Sequence, residues 1–228
     1  MSSASTIETT PSPVGEMPVS PGEPAPNFAL PAVDGLGPIS LADYRGKSNL
    51  FLALMVGLWC PFCRRQLVQL GAMEDKLKAL GVQSLAVVAT DAEHARVYFK
   101  FRPTRLRLAS DPELSIHRAF RVPKPAPTPD MLQAMGELKV DPFGDLPEPM
   151  PLQQLSEKLT AEDGYTGSPN DQADIERQWP QLKALYMIDR DGIVRWVDIE
   201  CQKEGLAGIG KMPSEDVILQ AARAMALQ

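Results

Sequence analysis

Residues 49 to 67 read Asn49-Leu50-Phe51-Leu52-Ala53-Leu54-Met55-Val56-Gly57-Leu58-Trp59-Cys60-Pro61-Phe62-Cys63-Arg64-Arg65-Gln66-Leu67, and the hydrophobic pattern changes in the middle of them. Asn49 to Val56 is an almost continuous apolar run closed by Gly57, which suits a strand covered on both faces in a parallel or mixed sheet. From Cys60 onward Leu67, Leu70, Met73, Leu77 and Leu80 recur at steps of three or four. That spacing lines one face of an α-helix, and Gly81 ends it. The two cysteines therefore open a helix that follows a central strand.

A second apolar run, Val82 to Ala89, leads into Thr90 and Asp91, either of which can cap a helix running to about Phe101. Arg107-Leu108-Ala109 reads as a short strand, and Asp111-Pro112-Glu113 as the start of a helix ended by Val122 and Pro123. Near the end, Asp191-Gly192 between the apolar runs Ala184 to Ile188 and Ile193 to Ile199 predicts a β-hairpin. A last helix is expected over Ser214 to Leu227, with Val217, Ile218, Ala221, Ala222 and Met225 on one face. Strands alternating with helices, then an antiparallel hairpin, give an α/β fold: a mixed central sheet with helices on both faces.

Two stretches fall outside this pattern. Residues 1–26 are rich in Pro, Ser, Thr, Gly and Glu and poor in large apolar side chains, so a disordered tail is expected, with the domain at 27–228. Between about 124 and 182 prolines and polar residues break the periodicity, which reads as a long insertion, or lid, before the hairpin. Within it Met131, Met135, Met150 and Leu152 are candidates for a soft apolar cover over the cysteines, and Trp179 for an anchor of the return path.

The chain has 228 residues, 44% hydrophobic, with a formal net charge of −6. That balance argues against nucleic acid or an anionic membrane as partner, since both attract basic surfaces. No apolar run is long enough to cross a membrane, and Met1 to Thr6 lack the basic start of a secretory signal, so the expected location is the cytoplasm. Three cysteines are too few for a disulfide scaffold. Two of them three residues apart point instead to reactivity.

Thiolate is the nucleophile, and a free cysteine, with a pKa of about 8.5, is mostly protonated at neutral pH. Unpaired N–H groups and the positive end of the dipole at a helix N-terminus favour the anion, which is where Cys60 falls. Residues at i and i+3 are close enough to close a disulfide, so Cys60 and Cys63 form a candidate redox pair. Pro61 suits the first helical turn and stiffens the loop between the sulfurs, while Arg64 and Arg65 add positive charge nearby. Trp59 is expected to pack beside the pair. Zinc is disfavoured because Cys201, His94 and His117 supply no second ligand pair. The two histidines read as structural or solvated, His117 on a surface helix, and Cys201 as a lone thiol. No cofactor is implied.

Several blocks in order carry a family resemblance: Pro21 to Phe28, Leu41 to Lys47, Gly57 to Leu67, Ser110-Asp111-Pro112, and Tyr186-Met187-Ile188-Asp189-Arg190-Asp191-Gly192. Together they resemble the peroxiredoxin-like branch of the thioredoxin superfamily, the alkyl hydroperoxide reductase and thiol-specific antioxidant (AhpC/TSA) proteins. The resemblance implies a thioredoxin-like fold and a thiol oxidoreductase acting on peroxides, or alternatively on protein disulfides. A thioredoxin- or glutathione-type reductant and a homodimer belong to the same expectation. The two branches assign the attacking thiol differently: thioredoxins would place it at Cys60 with Cys63 resolving, peroxiredoxins at Cys63.

The sequence departs from both branches. A peroxiredoxin would carry proline where Val56 stands and threonine where Cys60 stands. Lys183 occupies the place of the thioredoxin cis-proline and the peroxiredoxin arginine, and is either a catalytic cation or a solvated strand-end lysine. A non-catalytic redox sensor, in which the pair alters the insertion, is the rival of another class.

Overall fold

The structure, a computed structural model, describes residues 17–225. In its first half the elements are β1 (Ala29–Pro31), β2 (Pro38–Ser40), β3 (Asn49–Met55), α1 (Pro61–Ala79), β4 (Val82–Val88), α2 (Ala92–Phe101), β5 (Arg107–Ser110) and α3 (Ser115–Ala119). Then follow α4 (Pro129–Glu137), β6 (Lys139–Val140), β7 (Met150–Pro151), α5 (Leu152–Glu162), α6 (Pro169–Gln178), β8 (Ala184–Ile188), β9 (Val194–Ile199) and α7 (Glu215–Met225).

The central sheet has the strand order β5-β4-β3-β8-β9. β3 runs parallel to β4 and antiparallel to β8, so it is buried between neighbours on both edges as well as under both faces. Successive side chains of a strand point to opposite faces. Phe51, Ala53 and Met55 accordingly join one apolar cluster with Leu67, Leu70 and Met73 of α1 and Ile218 and Ala222 of α7. Leu50, Leu52 and Leu54 join the other, with Ile116, Phe120 and the early residues Val19, Phe28 and Leu30. This double coverage is why the run from Asn49 shows no polar alternation, and it fixes the end of β3 beneath the cysteine turn.

Four expectations need correction. The part of the 1–26 tail that falls on residues 1–16 lies outside the described residues. From Val19, which is buried, the chain is packed: Gly22 N–H donates to the Val194 carbonyl at 2.8 Å and Ala25 N–H to the Gly192 carbonyl at 2.8 Å. Pro24 forms an antiparallel bridge with Ile193 at the hairpin.

The helix expected from Asp111 begins only at Ser115, because Leu114 takes a left-handed backbone (φ 57°). Asp111 caps it from a distance, accepting from Ser115 Oγ and Ile116 N–H, both at 2.8 Å. His117, expected at the surface, is fully buried on this short helix.

The 124–182 stretch is not irregular but holds α4, α5, α6 and the ribbon β6–β7. The starts of α4 and α6 carry ordinary signals, Thr128 before Pro129 and Ser168 before Pro169 with Asp171 completing a capping box. α4 buries no residue completely.

Candidate redox site

Cys60 is the N-cap of α1 and Pro61 its first residue, which leaves the Cys60 sulfur facing the unpaired N–H groups of the first turn. Its Sγ accepts from Cys63 N–H at 3.4 Å. Both cysteines are free thiols, Cys60 7% exposed and Cys63 wholly buried. Burial pushes the Cys60 thiol up, but hydrogen bonding from Cys63 and the positive charge of Lys183 outweigh it, leaving its pKa below the ordinary value. Burial pushes Cys63 well above the ordinary range, helped by its role as donor to Cys60 and by the negative charge of that neighbour. The two thiols are thus driven apart: one toward the anion, one held as a proton donor.

Lys183, just before β8, is not a solvated strand-end lysine; it is 6% exposed. Its Nζ donates to Gln66 Oε1 at 2.9 Å and lies 2.9 Å from Glu200 Oε1. Burial alone would favour the neutral amine, but Glu200 and the two cysteines push its pKa above the ordinary lysine value, so it stays charged. Glu200 Oε1 also accepts from Gly210 N–H at 2.8 Å, and Gln66 Nε2 donates to the Gly210 carbonyl at 2.6 Å. The buried cation is therefore held in a satisfied network one turn along α1 from Cys63.

Arg64 does something other than charge the thiols. Its side chain, almost fully buried, donates through Nε to Asp163 at 2.8 Å and through Nη1 to the carbonyls of Leu58 (2.8 Å) and Trp59 (3.2 Å). Nη2 reaches Thr160 Oγ1 at 3.2 Å, and the guanidinium lies 4.0 Å from the Tyr165 ring centroid. It ties the cysteine turn to the end of α5. Arg65 pairs with Asp145 and lies over Phe143, which stacks on Phe62.

On the other side Gln178, the last residue of α6, receives Gly57 N–H at 2.8 Å and the Trp59 indole N–H at 2.9 Å on one oxygen, and donates to the Ala89 carbonyl. A Cβ on Gly57 would fall 2.5 Å from Trp59 Cδ1 and 2.7 Å from that oxygen, so a side chain there would displace the indole or the amide. Of the four apolar residues expected to cover the site, Met150 and Leu152 pack against the cluster that contains both cysteines, while Met131 and Met135 are only half-buried on α4. The residues from 124 to 182 thus hold the redox turn through Arg64, Arg65, Phe62 and Trp59.

Sequence reading missed Glu200, Gln66 and Gln178. For Glu200 a signal existed: the hairpin register pairs Ala184 with Ile199, which puts the opposite charges of Lys183 and Glu200 side by side. Cys201 is half-buried at φ 65°, with its thiol pushed up to about 12 by burial and by Glu200, and it has no disulfide partner. Among the described residues no group of three or more His, Cys, Asp or Glu is placed to hold a metal ion, and no helix is long and apolar enough to cross a membrane.

A thiolate at a helix start with a donor thiol one turn on is suited to nucleophilic attack followed by closure to a disulfide. Comparison with known proteins agrees with the fold. A family model described as AhpC/TSA family matches residues 21–197. The reduced 2-Cys peroxiredoxin of Plasmodium vivax is similar in structure, with a TM-score of 0.57 at 18% identity, covering 92% of this chain and 82% of that one. So is a peroxiredoxin-like protein from Aquifex aeolicus, with a TM-score of 0.56 at 13% identity over 92% and 90%. Peroxidoxin BcpB from Mycobacterium tuberculosis gives 0.55 at 14% identity over 91% and 98%. No curated protein matches the sequence.

Proposed function

The chain belongs to the AhpC/TSA family, and from that premise we propose that it is a dithiol oxidoreductase in which Cys60 attacks and Cys63 resolves. The observation that carries this reading is geometric: Cys60, the N-cap of α1, accepts from Cys63 N–H and keeps 7% exposure, whereas Cys63 is wholly buried behind it. The Cys60 thiolate attacks one sulfur of a substrate disulfide, forming a mixed disulfide and expelling the other sulfur as a thiolate. Cys63 then gives its proton to that leaving thiolate and attacks Cys60. The substrate departs fully reduced and a Cys60–Cys63 disulfide remains. A thioredoxin- or glutathione-type thiol system in the cytoplasm returns the two electrons.

Peroxide reduction is the second reading, favoured by the family match. There Cys60 takes one peroxide oxygen to become a sulfenic acid, releasing an alcohol or water, and Cys63 condenses with it, releasing water. A disulfide substrate fits the geometry better. The position where peroxiredoxins carry the attacking thiol is Cys63, which is sealed and protonated here, and the threonine that would precede it is Cys60.

Insulin disulfide, hydrogen peroxide and an alkyl hydroperoxide, each supplied with glutathione and glutathione reductase and read against a blank without the protein, separate the two readings. Insulin is expected to be turned over by the wild type and not by Cys60→Ser, while Cys63→Ser accumulates a mixed disulfide. Peroxide turnover without insulin reduction would overturn the choice of substrate. Retained turnover in Cys60→Ser would overturn the assignment of the attacker.

A further inference from the structure

A groove of about 800 Å³ lies between α1, the end of α2 with the turn after it, and the end of α5. It is separate in its lining from Cys60, Cys63 and Lys183, although it begins at Arg64 and Arg65. Its volume falls within the range of small-molecule sites. The floor is apolar, built on α1 from Leu67, Val68 and Ala72 and opposite them from Phe99 and Leu159. Val68 is 71% exposed there, on a helix whose other large apolar residues Phe62, Leu67, Leu70, Met73 and Leu77 are buried. Gly71 lets the turn come close, since a Cβ on it would meet Thr104 Oγ1 at 2.9 Å.

The rim is cationic. Arg64, Arg65, Arg102 and Arg105 line the groove against only two carboxylates, Glu162 and Asp163, in a chain whose net charge is −6. Arg64 is spent on the cysteine turn. Arg102 donates to the backbone carbonyls of Asp163 at 2.8 Å and Gly164 at 3.4 Å and lies 4.9 Å from the Tyr98 ring centroid, and among the described residues no carboxylate pairs with it. Arg65 and Arg105 pair with Asp145 and Asp75 in the open, where water screens the attraction and a ligand anion can replace the partner.

We propose that this groove binds an amphipathic organic anion, its carboxylate on the guanidinium groups of Arg102 and Arg105 and its apolar body along Val68, Ala72 and Phe99. The proposal does not depend on the redox reading.

Dodecanoate, kept below its micelle concentration, is the probe, titrated into the full-length reduced protein by calorimetry with 1-dodecanol as the uncharged control. Saturable one-to-one binding is expected, weaker by about tenfold or more for the alcohol, a factor that one charge-assisted contact supplies. Val68→Glu and Arg105→Glu change exposed side chains and leave the fold intact, which circular dichroism checks. Each should weaken dodecanoate binding by about tenfold or more. Absence of saturable binding, equal affinity for the alcohol, or unchanged affinity in both variants would overturn the proposal.

Discussion

Lys183 Nζ stands 2.9 Å from Glu200 Oε1 with both side chains buried, and the field of this pair reaches both cysteines. The lysine favours the Cys60 anion while the glutamate opposes it. Lys183→Met removes the favourable charge and strands a buried carboxylate, so it should raise the Cys60 pKa and cost about 3–5 kcal/mol of stability. Adding Glu200→Gln removes the stranded charge and should restore much of the stability. Urea denaturation and thiolate absorbance against pH read the two effects separately. An unchanged Cys60 titration in Lys183→Met would remove the lysine from the account.

Arg64 is expected to matter for structure more than for thiol acidity. Arg64→Lys keeps the charge but cannot serve the Leu58 and Trp59 carbonyls, Thr160 and Asp163 at once, because lysine lacks the planar fork of donors. A loss of about 2–3 kcal/mol is expected, from buried acceptors left unpaired. Limited proteolysis should then cut within 124–182 faster than in the wild type. Equal cleavage rates would mean that the clamp does not hold this segment.

Gln178 joins the other end of the same segment to the turn. Gln178→Leu leaves the Gly57 and Trp59 N–H groups without their acceptor and should cost about 1–3 kcal/mol. Trp59 is also expected to become more accessible to acrylamide quenching. Quenching as in the wild type would show that the indole is held by other contacts.

His117 makes the fold acid-sensitive. Burial lowers its pKa to about 4, with the charge of Asp111 and a backbone hydrogen bond at Leu54 opposing this only in part. In the unfolded chain the same group titrates near 6.5, so the unfolded state binds the proton first. Its contribution is complete above about pH 6.5 and is lost as pH falls toward 4, amounting to about 3 kcal/mol. His117→Leu should flatten stability against pH across that window. A slope identical to the wild type would assign the acid sensitivity elsewhere.

Much of the fold is written locally. The buried run Asn49 to Met55, the helix after the cysteines, the Asp91 cap, whose side chain accepts from Glu93 and His94 N–H, and the Asp191-Gly192 hairpin each follow from neighbouring residues, and the structure has them. The cysteine turn was legible for the same reason: a helix start and an i, i+3 spacing are short-range facts. What surrounds it was less so: Gln66 meets Lys183 and Gln178 meets Gly57 across more than a hundred residues of chain, and only Glu200 lay within reach of the hairpin register. Arg64 shows the limit most directly. From its position beside Cys63 it reads as a charge for the thiols, and only the packing of α5 turns its guanidinium the other way. His117 was misjudged because its helix starts late, after the left-handed Leu114, and the side chain is buried there.

The assignment of Cys60 as the ionised sulfur is tested most directly by alkylating the reduced wild type with iodoacetamide over a range of pH and mapping the labelled peptides by mass spectrometry. Cys60 is expected to react first, with a midpoint below the value of about 8.5 for free cysteine. Cys63 and Cys201 should remain largely unlabelled until the protein unfolds, since burial holds both thiols protonated. Labelling of Cys63 ahead of Cys60, or a Cys60 midpoint at or above that of free cysteine, would contradict the account.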